Sequence, residues 1–159
     1  MKTVVLTISD RCSRGEVQDR GGPAVVQAVQ GAGWSVIEVE ILSDDPDVLS
    51  ARLRALCDSD SAPDLVVTTG GTGLGPRDST PEATRAVLDK ELPGVSERMR
   101  REGEKSTPLA LLSRAVCGAR GRSLIINLPG SPKGAVESFE AVRDLLEHAS
   151  AVLSGAGHG

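Results

Sequence analysis

A chain of 159 residues with 39% hydrophobic and 25% charged side chains is sized for one globular domain, large enough to bury a core without staples. A net charge of −4, a pI near 5.2 and only Trp34 and Phe139 as aromatics exclude a protein built to neutralise and stack on nucleic acid. The three scattered cysteines, Cys12, Cys57 and Cys117, form no zinc or disulfide pattern, and neither a signal-peptide pattern nor a membrane-length apolar run occurs, so a soluble cytoplasmic protein is expected.

In chain order, residues 3–8 form a β-branched run that reads as a buried strand. A helix is expected from near Pro23, carrying Val25, Val26 and Val29, followed by a strand over 36–42. The next helix begins at Pro46 and places Val48, Leu49, Leu53 and Leu56 on one face. After a strand at 65–69, helices are expected from Pro81 and after Pro93, the latter marked by Val95 and Met99. Residues 115–122 read as an extra strand and turn, and 124–127 as a further strand. The last helix runs from Pro132, with Val136, Phe139, Val142, Leu146, Ala149 and Leu153 at helical spacing.

Pro23, Pro46, Pro81, Pro93 and Pro132 all fall where a first helical turn tolerates a residue without an N–H. Alternating strands and helices predict right-handed crossovers and a mostly parallel sheet covered on both faces. Residues 1–154 are expected to form a single α/β domain, with 155–159 as a flexible tail.

Ligands of such a sheet bind at the carboxyl ends of its strands. Four polar clusters follow the expected strands: Ser9-Asp10; Ser43-Asp44-Asp45; Thr69-Gly70-Gly71-Thr72-Gly73, running on to Arg77-Asp78; and Leu128-Pro129-Gly130-Ser131-Pro132-Lys133. Consecutive glycines let backbone N–H groups face an anion with no side chain in the way, so the loop from Gly70 to Asp78 is expected to grip phosphates. It lacks the Gly-Lys-Ser/Thr of a P-loop and the spacing of a dinucleotide fingerprint, and its structural alternative is a mobile tight turn.

A carboxylate beside phosphates needs a cation between them, since two unit charges at 4 Å repel by roughly 1 kcal/mol in water and about 4 at an effective dielectric of 20. Magnesium suits Asp78 in that role; alternatively Asp78 pairs with Arg77 or a nearby backbone amide. Asp45 precedes Pro46 as a natural N-cap, which leaves Asp44 free for the site, while Asp10 can cap or bind. Ser131 is a natural cap for the helix at Pro132, whose start, with Lys133, also attracts phosphate. Ser79 with Glu82 fits a capping box, and Thr80 fits a cap equally well.

The basic cluster Arg98, Arg100, Arg101 and Lys105 reads as a solvated helix face, with an anion-attracting rim as the alternative. Only His148 and His158 are present, in the last helix and the tail, so no hydrolytic triad is available, and Cys12 has no visible activator. What remains is positioning plus metal electrostatics, the manner of phosphoryl or nucleotidyl transfer.

The same residues resemble the molybdopterin adenylyltransferases, the MogA/MoaB family of molybdenum cofactor biosynthesis, from about Val4 to Leu153. The matching segments are Ile8-Ser9-Asp10-Arg11, Gln18-Asp19-Arg20-Gly21, Thr69 to Gly73, Arg77 to Thr84, Pro93-Gly94 with Met99-Arg100, Leu112-Ser113-Arg114, and Asn127 to Lys133. The resemblance implies a three-layer α/β/α sandwich and adenylyl transfer from Mg-ATP to the terminal phosphate of molybdopterin, with release of pyrophosphate. It implies Asp44 and Asp78 as the catalytic pair, with Asp78 on magnesium. The substrate- and nucleotide-binding set is then Ser9, Asp10, Gly70, Gly71, Thr72, Gly73, Arg77, Ser113, Asn127, Pro129, Gly130, Ser131 and Lys133.

It also implies a homotrimer, sometimes paired into a hexamer; a downstream metal-insertion protein is a candidate partner, while composition and hydropathy already argue against nucleic acid and membrane. Ser43 departs from the proline that many members carry before the carboxylate, which predicts a change in loop stiffness. Two other readings are a molybdopterin-binding scaffold without turnover and an enzyme like the pyridine-nucleotide amidohydrolases, which share the glycine loop but usually carry a further domain.

Overall fold

In the computed structural model, which describes residues 1–156, six strands form one sheet: β1 (Lys2–Ile8), β2 (Ser35–Leu42), β3 (Leu65–Thr69), β4 (Lys90–Glu91), β5 (Cys117–Arg120) and β6 (Ser123–Leu128). Their order is β2-β1-β3-β6-β5-β4. The four strands read from β-branched runs are mutually parallel, and β5 joins β6 antiparallel. That reversal follows from a two-residue turn, in which Gly121 takes φ +55° between the paired Arg120 and Ser123. The two-residue β4 lies outside the expected elements; it is too short for any periodicity to register.

The helices are α1 (Asp10–Ser13), α2 (Gly21–Gly31), α3 (Pro46–Cys57), α4 (Thr80–Arg85), α5 (Pro93–Glu104) and α6 (Pro132–Leu153), with a 3-10 helix at Pro108–Leu112. On one face of the sheet, α2, α5 and α6 bury Val25, Val29, Met99, Phe139 and Leu146 against Val5, Val67 and Ile126. On the other, α3 and α4 bury Leu49, Leu53 and Ala83 against Val4, Leu6, Val66 and Ile125. The expected three-layer α/β/α sandwich is what forms. Its core is almost wholly aliphatic, and the two aromatics meet edge to face with ring centroids 5.4 Å apart.

Proline marks the start of α3, α5 and α6, and the caps there behave as local chemistry requires. Asp45 accepts from the Asp47 N–H and Ser131 from the Gly134 N–H. At α4 the expected capping box does not form: the Ser79 hydroxyl donates to the Asp44 carbonyl, Glu82 pairs with Arg114, and the Thr80 hydroxyl caps nothing. Helix α2 begins at Gly21, ahead of Pro23, because Asp19 Oδ1 takes the Gly22 N–H at 3.0 Å. Of the expected tail, residues 157–159 lie outside the described residues. No described helix is long and apolar enough to cross a membrane.

Sheet register decides where the chemistry collects. Ile8 lies opposite Leu42, Thr7 opposite Thr69, and Thr69 opposite Leu128. Four parallel strands therefore end level, and the four polar clusters that follow them open on one rim.

Candidate active site

A cleft of about 370 Å³ opens at that rim. Ser9, Asp44, Gly70, Gly71, Asp78 and Gly130 all line it, so three separate strand ends and the loop before α6 contribute to one space. Ser9 also caps α1, accepting from the Cys12 N–H at 3.1 Å.

Asp10 and Asp44 lock together through their backbones. The Asp10 N–H donates to Asp44 Oδ2 at 2.8 Å, and the Asp44 N–H donates to Asp10 Oδ1 at 3.0 Å. Arg77 closes the unit from outside, its Nε 3.0 Å from Asp10 Oδ2 and a terminal nitrogen 3.2 Å from Asp10 Oδ1. That guanidinium, with the Asp44 amide, holds the Asp10 carboxyl below its ordinary range. Asp44 moves the opposite way. Burial raises it first, and repulsion from Asp10 and Asp78 adds to the rise despite the Asp10 amide.

Asp78 does not pair with Arg77. Its Oδ2 accepts the Gly75 N–H at 2.8 Å, which folds the carboxylate across its own loop. Arg114 fixes that loop through backbone atoms, reaching Gly73 O at 2.8 Å and Asp78 O at 2.7 Å. Among the described residues neither Asp44 nor Asp78 has a salt-bridge partner, and both line the cleft.

The glycine loop divides its work. Gly70 takes φ +105° and its N–H donates to Leu128 O at 3.1 Å, while a Cβ there would sit 2.4 Å from Ile8 O. Its lack of a side chain serves close strand-end packing. Gly71, Thr72 and Gly73 differ: among the described residues their N–H groups have no protein acceptor. These three amides are the donors available to an anion.

Thr72, Gly73, Ser113, Pro129 and Ser131 line a second, more apolar cleft of about 380 Å³ with Leu109 and Leu112 of the 3-10 helix. The two clefts meet along the glycine loop and the Pro129–Gly130–Ser131 turn. The expected binding set is thereby split between two spaces.

Four expected members, Asp10, Arg77, Asn127 and Lys133, line neither cleft. Arg77 is occupied by Asp10. Asn127 is fully buried, donating to Thr68 Oγ1 at 3.0 Å and Thr84 Oγ1 at 2.9 Å while accepting the Val116 N–H at 3.1 Å, so it braces β6 to β3 and α4. Lys133 stands 82% exposed near Glu137. The basic cluster is largely occupied as well: Arg100 braces Ser113 O and Ala115 O, Arg98 pairs with Asp144, and Lys105 with Glu102.

Thr7, Gln18, Asp19, Arg20 and Gly21 line the first cleft without having been singled out as site residues. Asp19 bridges there, accepting from Thr7 Oγ1 at 2.7 Å as well as from Gly22. The segment 18–21 was visible as a motif. No spacing rule brings a loop before α2 onto the rim of β3.

No group of three or more His, Cys, Asp or Glu among the described residues could hold a metal unaided. Magnesium does not need one, since it binds through one or two carboxylates plus phosphate oxygens and water. Asp44 and Asp78, each with one carboxylate oxygen that accepts nothing among the described residues and neither with a salt-bridge partner, fit that pattern.

Residues 4–148 match the family described as "Probable molybdopterin binding domain". The chain is 46% identical over 140 residues to a molybdopterin adenylyltransferase of Helicobacter pylori, covering 87% of this chain and 79% of that protein. It is 43% identical over 147 residues to the molybdenum cofactor synthesis protein cinnamon of Drosophila melanogaster, spanning 91% of this chain but 24% of that larger protein. The crystal structure of the molybdopterin biosynthesis enzyme MoaB of Thermus thermophilus superposes with a TM-score of 0.90 at 49% identity, covering 97% of this chain and 96% of that one.

Proposed function

Because the chain belongs to the molybdopterin-binding domain family, we propose that it is an adenylyltransferase that transfers AMP from ATP to molybdopterin. A terminal phosphate oxygen of molybdopterin forms a bond to the α-phosphorus of ATP. The bond from that phosphorus to the bridging oxygen of the β-phosphate breaks, and pyrophosphate leaves. The observation that carries this reading is that Asp44 and Asp78, neither with a salt-bridge partner among the described residues, line one strand-end cleft with Gly71, where the unoccupied amides of Gly71, Thr72 and Gly73 run on into the neighbouring cleft. A site built only to bind anions gains nothing from two negative charges, which disfavours a scaffold without turnover.

In this reading Asp44 and Asp78 hold magnesium, which supplies charge neutralisation at the phosphates when bound. The amides of Gly71, Thr72 and Gly73 take phosphate oxygens, and Ser9 and Gly130 close the polar cleft. The neighbouring apolar cleft, with Ser113, Pro129 and Ser131, receives a planar ring. Catalysis is then alignment and electrostatic stabilisation, with no side chain required as a covalent nucleophile.

Incubation with molybdopterin and Mg-ATP should release pyrophosphate and form adenylylated molybdopterin. Asp78→Ala and a chelator should each abolish the product. Full turnover in either case removes the cation from the mechanism, and tight molybdopterin binding without product would favour the scaffold.

The reading extends to a cytoplasmic homotrimer, or a pair of trimers, that passes its product to a metal-insertion protein. Self-association is supported by an apolar stripe on the edge strand β2, where Ile37, Val39 and Ile41 are 51%, 52% and 41% exposed. Sedimentation velocity showing a monomer at micromolar concentration would end that extension.

A further inference from the structure

One polar atom beside the site has no assigned role. Thr80 is 1% exposed, and its Oγ1 has no hydrogen-bond partner. The buried hydroxyls of Thr3 and Ser96 share that condition, but they lie at the start of β1 and in α5, away from the cleft. Thr84, one turn along α4, is by contrast satisfied by Asn127.

The surroundings of Thr80 define what its hydroxyl faces. Its N–H donates to Gly71 O at 3.1 Å, which holds the residue against the glycine loop. A Cβ on Gly71 would lie 2.3 Å from Thr80 Oγ1 and 3.2 Å from Asp44 Oδ1. The hydroxyl and the carboxylate oxygen therefore border the same small space, kept open only because residue 71 has no side chain. Asp44 Oδ2 already takes the Asp10 N–H, while Oδ1 accepts nothing among the described residues. Ser79, next in the chain, donates to the backbone carbonyl of Asp44 at 3.2 Å. The start of α4 thus already grips the main chain of Asp44, and an unused donor borders the same gap as its free oxygen.

We propose that Thr80 is a positioning residue for Asp44, its hydroxyl donating to Asp44 Oδ1 in the nucleotide-bound protein and fixing the carboxylate's orientation. Thr80 touches neither substrate nor reacting atoms; it acts through Asp44. The proposal rests on Asp44 being a working carboxylate of this cleft. An ordinary capping role does not account for the hydroxyl, because it accepts no N–H at the helix start.

The test uses the full chain with Thr80→Val, which keeps the shape and removes the donor, and Thr80→Ser, which keeps the donor. Circular dichroism and thermal melting first establish folding. In the adenylylation assay, Thr80→Val should lower kcat about tenfold to a hundredfold with KM for ATP within about twofold, the pattern of misplaced catalytic geometry. Thr80→Ser should restore kcat to within about threefold of the parent on the same scale. A crystal structure of the parent with Mg2+ and a non-hydrolysable ATP analogue should show Thr80 Oγ1 within hydrogen-bond distance of Asp44 Oδ1. Undiminished kcat in Thr80→Val, equal loss in both variants, or a bound structure with that hydroxyl still unpartnered would each overturn the proposal. The bound structure decides the matter even if Thr80→Val fails to fold or the parent makes no product; absent product in the parent counts against the adenylyltransferase reading alone.

Discussion

Asp10 and Asp44 each accept the other's backbone N–H, at 3.0 and 2.8 Å, so the ends of β1 and β2 are tied by two carboxylates that would otherwise repel. The tie treats the two acids differently. Arg77 stabilises the ionised form of Asp10, whereas Asp44 is left half-buried, with Asp78 facing the same cleft and no salt bridge of its own among the described residues. The expected consequences concern stability as well as turnover.

Asp44→Asn should abolish adenylylation yet raise the melting temperature at neutral pH without added metal. Burial lifts the Asp44 carboxyl above its ordinary value, so its ionisation favours the unfolded chain. The associated stability is fully present below the ordinary carboxyl pKa and is lost as pH rises through the raised value. The melting difference between variant and parent should therefore vanish in acid and open as pH rises through that window. Calorimetry from pH 3 to pH 7 checks the sign, and a lower melting temperature at pH 7 would contradict it.

Arg77→Gln should weaken the protein slightly at neutral pH. Its guanidinium lowers the Asp10 carboxyl, so the contribution exists above the ordinary carboxyl pKa and disappears as pH falls through the depressed value. Arg77 is 60% exposed, and its pairing is screened by salt. Comparing melting temperatures at low and at molar salt should show the difference shrinking.

Asn127→Ala should destabilise the fold by about 2–4 kcal/mol in urea unfolding, because it leaves the Val116 N–H and two threonine hydroxyls without their partner in a closed interior. Its effect on nucleotide affinity should be no larger than this loss of folded protein explains. A stable variant with selectively weakened ligand binding would return Asn127 to the cleft.

Gly70→Ala should cost more than any other single alanine in the loop. Gly70 combines φ +105° with a Cβ position 2.4 Å from the Ile8 carbonyl oxygen, a backbone atom that cannot swing away. Gly94→Ala, in the first turn of α5 with nothing within 4 Å, should be neutral or stabilising by a few tenths of a kcal/mol. Paired urea titrations measure the contrast.

Much of this molecule is legible in its sequence because the relevant forces are local. β-branched runs, prolines at first turns and amphipathic spacing place β1, β2, β3 and β6 with α3, α5 and α6 to within a residue or two. Asp45 and Ser131 cap where their neighbours require. Short elements such as β4, α1 and the 3-10 helix carry too few residues to leave a periodic trace.

The amino-acid order determined an aliphatic α/β sandwich, four polar clusters after four strands, and the set of acids and glycines among them. Tertiary structure alone decided what each polar group does. It turned Arg77 toward Asp10 and away from Asp78, buried Asn127 as a brace, left Lys133 in solvent, and brought the loop at 18–21 to the rim. The reason is that a side chain's partner is set by sheet register and by the approach of distant segments. Asp10 meets Asp44 across 34 positions and Asn127 meets Thr68 across 59, and no local spacing encodes either encounter.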